Sequence, residues 1–489
     1  MNIIFHLLIL NLGKIIHSSI VVIPFELNEI NYKKDKISST ELINNIFEKE
    51  FYTTVQLGDE KNKSFGIISF TDHHPILSES NCEKMNKFKY NKNVINNGYS
   101  LKNSNTKKYL GSTTDYLNKI KSVDFYSEQF WYFNETLIEN NMKMIEIFLI
   151  KNNSTNSINS KMCLSIGLNE PFKVYSNPSP PHFIDYLHSK NIIETQDWTI
   201  KFTDKNKGEL IIGNLPHNYE KDKDKYSESN YTKCNTECII TFFQPWGIDM
   251  KEIYFNISHM DKIIVNENNN KSLLTHNFGF IIGSYNYKNL IYENYFKNLI
   301  DKNICEMEKS DITKYNNSHY FIKTDGDYYM FICNKEMKNH LKEFPTLYFS
   351  NIKYEYIFEL TYEDLFKEIN DYYYFMIIFP NINPDDYDIN EKEEWHLGLP
   401  FLTKYQFIMN FDSKTIGFYK FQNLYNLENN NNKVDKKEKS EKSESKSINK
   451  ILLIILEILF FLIYTILKNQ RFIKNINYYN INYCSIFHW

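Results

Sequence analysis

Asp72, His73 and His74 stand side by side, and all three side chains are of types that ligate transition metals. Adjacent residues on an extended chain point to opposite faces, so the run is badly placed to close on one ion. A surface turn with Pro75 is the expected setting, and no metal site is expected. Seven cysteines stand at 82, 163, 234, 238, 305, 333 and 484, without the paired CxxC spacing of a structural zinc site. In an oxidising compartment, Cys305 with Cys333 and Cys234 with Cys238 are the expected disulfides, while Cys484 stays reduced. Cys163 with a distant histidine would supply a thiol nucleophile, but a buried core thiol is the plainer reading. No Ser-His-Asp or Cys-His set is recognisable, and no cofactor is expected.

Short runs rich in aromatic and β-branched residues, bounded by polar turns, must position whatever chemistry exists. Phe51 to Leu57, Ser64 to Phe70, Trp198 to Phe202, Glu209 to Gly213, Glu252 to Phe255, Thr346 to Phe349 and Tyr405 to Phe411 are expected strands. Helical signals are few. Ser38 with Glu41 forms a capping-box pattern for a short helix through Phe47, and Pro181 to Lys190 has helical apolar spacing. The body is expected to be mainly β.

The ends of the chain suggest a compartment. Ile3 to Leu12 is apolar apart from His6 and Asn11 and resembles the core of a signal peptide, with cleavage near Ser19. Residues 423–450, an Asn run followed by Lys, Glu and Ser, carry too little apolar surface to fold and suit a flexible stalk. Ile451 to Leu467 is apolar apart from Glu457, Tyr464 and Thr465; at about 1.5 Å per residue it reaches ~25 Å, near the ~30 Å of a hydrocarbon core. A single-pass type I protein of the secretory pathway or cell surface is therefore expected, with residues 468–489 as a cytosolic tail. A net charge of -4 on 489 residues gives no reason to expect nucleic acid as a partner. Eight N-x-[ST] sequons make glycosylation an expectation for the exported part, weakened by the high Asn content.

Several segments resemble the pepsin family of aspartic proteases, in the order that family uses. Phe51-Tyr52 with Val55 to Gly58 resembles its first strand, and Ile67 to Asp72 stands where the family reads VIFDTG. Cys163 to Asn169 (CLSIGLN) resembles DGILGLG, Gly208 to Gly213 resembles GELxxGG, Trp246 to Phe255 resembles WxIxxxxIYF, and Phe344 to Leu347 resembles FPTI. The most specific likeness is Trp395 to Phe418, WHLGLPFLTKYQFIMNFDSKTIGF, beside WILGxxFLRxYYxVFDxxxxRIGF. The resemblance covers roughly 51–420. It implies a bilobal β fold with a cleft between an N-terminal lobe (51–215) and a C-terminal lobe (216–422), preceded by a short segment (20–50). It also points to the membrane-anchored branches of that family.

The same resemblance implies two carboxylates that share a proton and grip a water, each on a D-[TS]-G turn. No such triplet occurs in this chain. Alignment puts Phe70 at the first position and Gly283 at the second, with Thr71, Asp72, Ser284 and Tyr285 as cleft neighbours. Asp72 is displaced by two residues, about 7 Å along a strand, too far to replace a carboxylate at position 70. Tyr109, before Leu110-Gly111-Ser112, is the nearest counterpart of the tyrosine on the hairpin that closes the family's cleft. Three functions follow as expectations. The first is an inactive pseudoprotease binding a peptide or protein through its cleft or surface. The second is an active aspartic endopeptidase with unrecognised catalytic residues. The third is a structural or adhesive surface protein.

Overall fold

The computed structural model of the protein describes residues 20–27, 36–46, 49–59, 62–70, 75–77, 89–90, 93–94, 99–114, 122–133, 142–151, 163–168, 182–235, 246–256, 262–266, 270–311, 327–351, 356–381 and 394–420. The expected signal segment, stalk, membrane helix and tail lie outside these residues. Among the described residues no helix is long and apolar enough to cross a membrane.

The fold is mainly β. In chain order the strands that matter below are β1 (Val21–Leu27), β2 (Phe51–Leu57), β3 (Asn62–Ser69), β4 (Ile76–Leu77), β5 (Lys108–Thr114), β6 (Ser122–Phe133), β7 (Met142–Lys151) and β8 (Leu164–Gly167). They continue with β9 (Asp197–Asp204), β10 (Lys207–Ile212), β11 (Gly247–Met250), β12 (Asn270–Leu274), β13 (Ile281–Ile282), β14 (Asp327–Cys333), β15 (Ile377–Pro380), β16 (Glu394–Leu397), β17 (Phe407–Asn410) and β18 (Thr415–Tyr419). Three short helices recur in the argument: α1 (Ser39–Ile46), α2 (Phe183–Ser189) and α3 (Tyr285–Ile291).

One arrangement of strands occurs twice. In the first copy β2 pairs antiparallel with β3, β3 parallel with β8, β8 antiparallel with β4, β4 parallel with β7, and β7 antiparallel with β6. In the second, β11, β12, β16, β13, β15 and β14 pair in the same order and with the same senses. The sheet of the first copy continues from β2 through β1 into a run of antiparallel pairings, β1 with β10, β10 with β9, β9 with β17 and β17 with β18, while the second copy forms a separate sheet. Buried Trp198 of β9 and Trp395 of β16 anchor the apolar interior, each buried aliphatic or aromatic side chain contributing about 1.5–3 kcal/mol.

Every strand expected from the sequence is present, with ends shifted by a few residues. Strand β1 was not expected. Its VVIPFEL run is rich in β-branched residues and buried except at Pro24 and Glu26, but a proline argues against a central strand. Pro24 is tolerated because it pairs with Glu209 of β10, while the β2 ladder reaches only Glu26 and Leu27. The Pro24 carbonyl accepts a hydrogen bond from Thr53 Oγ1 at 2.6 Å instead. Both expected helices form. Ser38 Oγ accepts the Glu41 amide at 3.2 Å at the start of α1, as the capping pattern requires.

Cys305 and Cys333 face each other across an antiparallel pair and are disulfide-bonded, as expected. Cys234 is a buried thiol and not half of a bridge; its expected partner Cys238 lies outside the described residues. Cys163 is buried but disulfide-bonded, which corrects the reading of a core thiol. Half-cystines pack into an apolar interior as readily as thiols do, so burial does not separate the two. Replacing Cys305 and Cys333 together by alanine is expected to lower stability by about 3 kcal/mol, from the loop of 28 residues the bridge closes. Chemical denaturation of the oxidised parent and the double variant measures this.

Candidate functional site

The duplicated pairings define which residues are equivalent. In the first copy Ile166 faces Ile68 and is followed by Gly167, while Ser165 faces Ile76. In the second, Leu397 faces Leu274 and is followed by Gly398, while His396 faces Ile282. Ile68 therefore matches Leu274, and Ile76 matches Ile282. Phe70 lies two residues after Ile68 and six before Ile76; the residue two after Leu274 and six before Ile282 is His276.

These two equivalent residues meet. The rings of Phe70 and His276 stack with centroids 5.0 Å apart and planes 16° from parallel. Trp198 closes the triangle, at 6.2 Å from Phe70 and 5.4 Å from His276. Phe51 packs edge-on against Phe70 at 5.0 Å, and Phe25 of β1 packs on Phe51 at 4.7 Å. Trp246 and Phe411 extend the cluster behind Trp198. Phe70 keeps partial exposure, whereas His276 and Trp198 are buried.

The expectation that Gly283 stands opposite Phe70 does not hold. Gly283 is the residue after β13 and corresponds to Leu77, seven positions beyond His276. A Cβ at Gly283 would lie 2.8 Å from Ile377 and 3.0 Å from Phe379, inside the second copy's own core. The apolar-then-small run FIIGS imitates the expected strand and turn, but it belongs to the second leg of the loop rather than the first. Ser284 and Tyr285 are displaced with it. Ser284 is buried and caps α3, its Oγ accepting the Tyr287 amide at 3.1 Å, and Tyr285 is the first helical residue, beneath the Lys288 ammonium at 4.4 Å. Thr71, Asp72, His73 and His74 lie outside the described residues. Among the described residues no group of three His, Cys, Asp or Glu side chains is arranged to hold a metal ion.

Tyr109 and Leu110 lie on β5, at the end of the sheet path, where β5 pairs with β6. A register shift between Tyr109 and Gly111 bulges the strand, and Gly111 takes φ 142°, a value that favours glycine. The bulge leaves Tyr109 and Leu110 59% and 52% exposed, a protruding apolar pair on a hairpin.

Chemically the Phe70–His276 stack is a poor hydrolytic centre. Desolvation pushes the His276 imidazole down to about 3, so it is neutral across the physiological range and too weakly basic to activate water efficiently. The phenyl ring of Phe70 exchanges no proton. Buried Thr275 Oγ1 and Trp198 Nε1 find no partner among the described residues. The sequence reading missed His276, Trp198 and Phe25 as parts of this cluster. The internal likeness of Leu164-Ser165-Ile166-Gly167-Leu168 to Trp395-His396-Leu397-Gly398-Leu399 was the signal that could have located them. No model of a known protein family matches this chain, and no curated protein matches it.

Burying His276 as a neutral ring couples stability to acid. Its folded value lies below the unfolded one of about 6.5, so the unfolded chain binds the extra proton. Its contribution is complete above about pH 6.5 and falls away as pH drops toward 3. His276→Gln is expected to flatten that part of the stability profile, measured by urea unfolding at stepped pH.

Proposed function

We propose that this chain is a pepsin-like, bilobal member of the aspartic-protease family that has lost catalysis and binds a peptide or protein through its cleft or surface. One observation carries the reading. The two positions related by the duplicated strand pattern hold Phe70 and His276, stacked ring on ring; on this reading they stand in for the two carboxylates and water that the mechanism needs. The retained strands, the Trp395 to Phe418 segment and the exposed Tyr109–Leu110 hairpin support binding without hydrolysis. A signal segment and a membrane helix at Ile451 to Leu467 would place this body on the exported face of a membrane.

The full-length protein in mild detergent, offered a broad peptide library from acidic to neutral pH, is expected to cleave nothing. Pepstatin, whose hydroxyl binds between two aspartates, is expected to leave its melting temperature unchanged. Pepstatin-sensitive cleavage would overturn the inactive reading. Peptides selected by display on the same protein are expected to lose at least about tenfold in affinity, ~1.4 kcal/mol, with Tyr109→Ala and Leu110→Ala combined. Failure to select any peptide would favour a structural or adhesive role.

A further inference from the structure

We infer that strand β1 and helix α1 form a permanent clamp that holds both halves of the Phe70–His276 stack, and do not belong to a segment removed on maturation. This conclusion rests on packing and is independent of the pseudoprotease reading.

The clamp grips in two places. Strand β1 lies inside the first copy's sheet, paired with β10 from Val21 to Glu26 and with β2 at Glu26 and Leu27. From there Phe25 supports Phe51, which packs on Phe70. Helix α1 takes the other half. Its buried face, Leu42, Ile43 and Ile46, joins Phe278 and Phe280 in one apolar cluster, immediately after His276. At Gly279 the backbone of the turn approaches the Ile46 carbonyl so closely that a Cβ would lie 2.1 Å from its oxygen. The Lys49 amide donates to the Asn277 carbonyl at 2.6 Å.

Polar contacts fasten α1 to the second copy. Tyr374 Oη accepts the Ile37 amide at 2.9 Å and donates to the Ile37 carbonyl at 3.0 Å. The Ser39 amide donates to Glu308 Oε2 at 2.8 Å, and Lys36 Nζ bridges Glu306 and Glu308. Both glutamates stand on the strand Cys305–Asp311, which the disulfide ties to β14. An arm with a strand inside the sheet and a helix seated on the His276 turn leaves only when the body opens.

Carbethoxylation by diethyl pyrocarbonate tests this in the full-length protein, because a neutral imidazole reacts at a rate set by access. His276 is scored by peptide mass spectrometry against exposed His188 in the same molecule. Two variants loosen the clamp differently: Leu42→Ala with Ile43→Ala empties the face of α1, and Gly279→Ala forces the turn away from Ile46. Leu360→Ala is the control, a comparable core cavity in the strand Tyr356–Leu360. His276 labelling is expected to rise at least about tenfold relative to His188 in both clamp variants and to stay at the parent rate in the control. An unchanged rate in both clamp variants, or an equal rise in Leu360→Ala, would overturn the inference. So would a native mature protein whose N-terminus, read by mass spectrometry, falls at or after Phe51.

Discussion

The contact on which the rest of the structure depends is the stacking of Phe70 on His276. Each ring follows the same strand of a duplicated arrangement, and each is delivered by the same spacing from its paired neighbours. The two copies therefore converge on one point, and what stands there decides the chemistry. Carboxylates at such a point would repel one another and draw in water and a shared proton. A phenyl ring and a neutral imidazole attract, exclude water, and contribute about 0.5–1.5 kcal/mol beyond their burial. The pair is a piece of core, and neighbouring aromatic residues extend it: Trp198 from β9, Phe51 from β2, Phe25 from β1.

Burial sets the electrostatics of this junction. His276 lies among aromatic rings, so desolvation alone lowers its affinity for protons. The charged groups that do pair sit elsewhere, as with Lys36 between Glu306 and Glu308, or Lys201 with Glu220. Such partly exposed pairs contribute little individually. Tyr99 and Glu128 form a buried exception, the hydroxyl donating to the carboxylate at 2.5 Å beneath the β6 hairpin. That hairpin carries Tyr109 and Leu110 outward, so the exposed apolar pair stands on a well-fastened base.

Much of this fold was legible in the sequence because strands with buried faces advertise themselves through β-branched and aromatic runs. Phe51–Leu57 was found to the residue, and α1 was announced by Ser38 and Glu41. Strand β1 was hidden by Pro24, whose placement beside an incomplete ladder no local pattern reveals. The candidate site was half legible. Phe70 was singled out by the pattern of Ile67 to Asp72, whereas its counterpart was read at Gly283, where a similar apolar run ends. Two legs of one loop look alike in a single sequence; only the pairing of Ile282 with His396 and of Leu274 with Leu397 separates them. Cys163 failed for a related reason, since a cystine and a thiol bury equally well.

The central claim is that Phe70 and His276 act as one packed element at the junction of the two copies. A double-mutant cycle tests it most directly: urea unfolding of the parent, Phe70→Leu, His276→Gln and the double variant, at pH 7.5 where the imidazole is neutral. The account predicts a coupling free energy of about 1 kcal/mol between the two positions. Effects that simply add, within about 0.3 kcal/mol, would show that the rings do not meet and would contradict it.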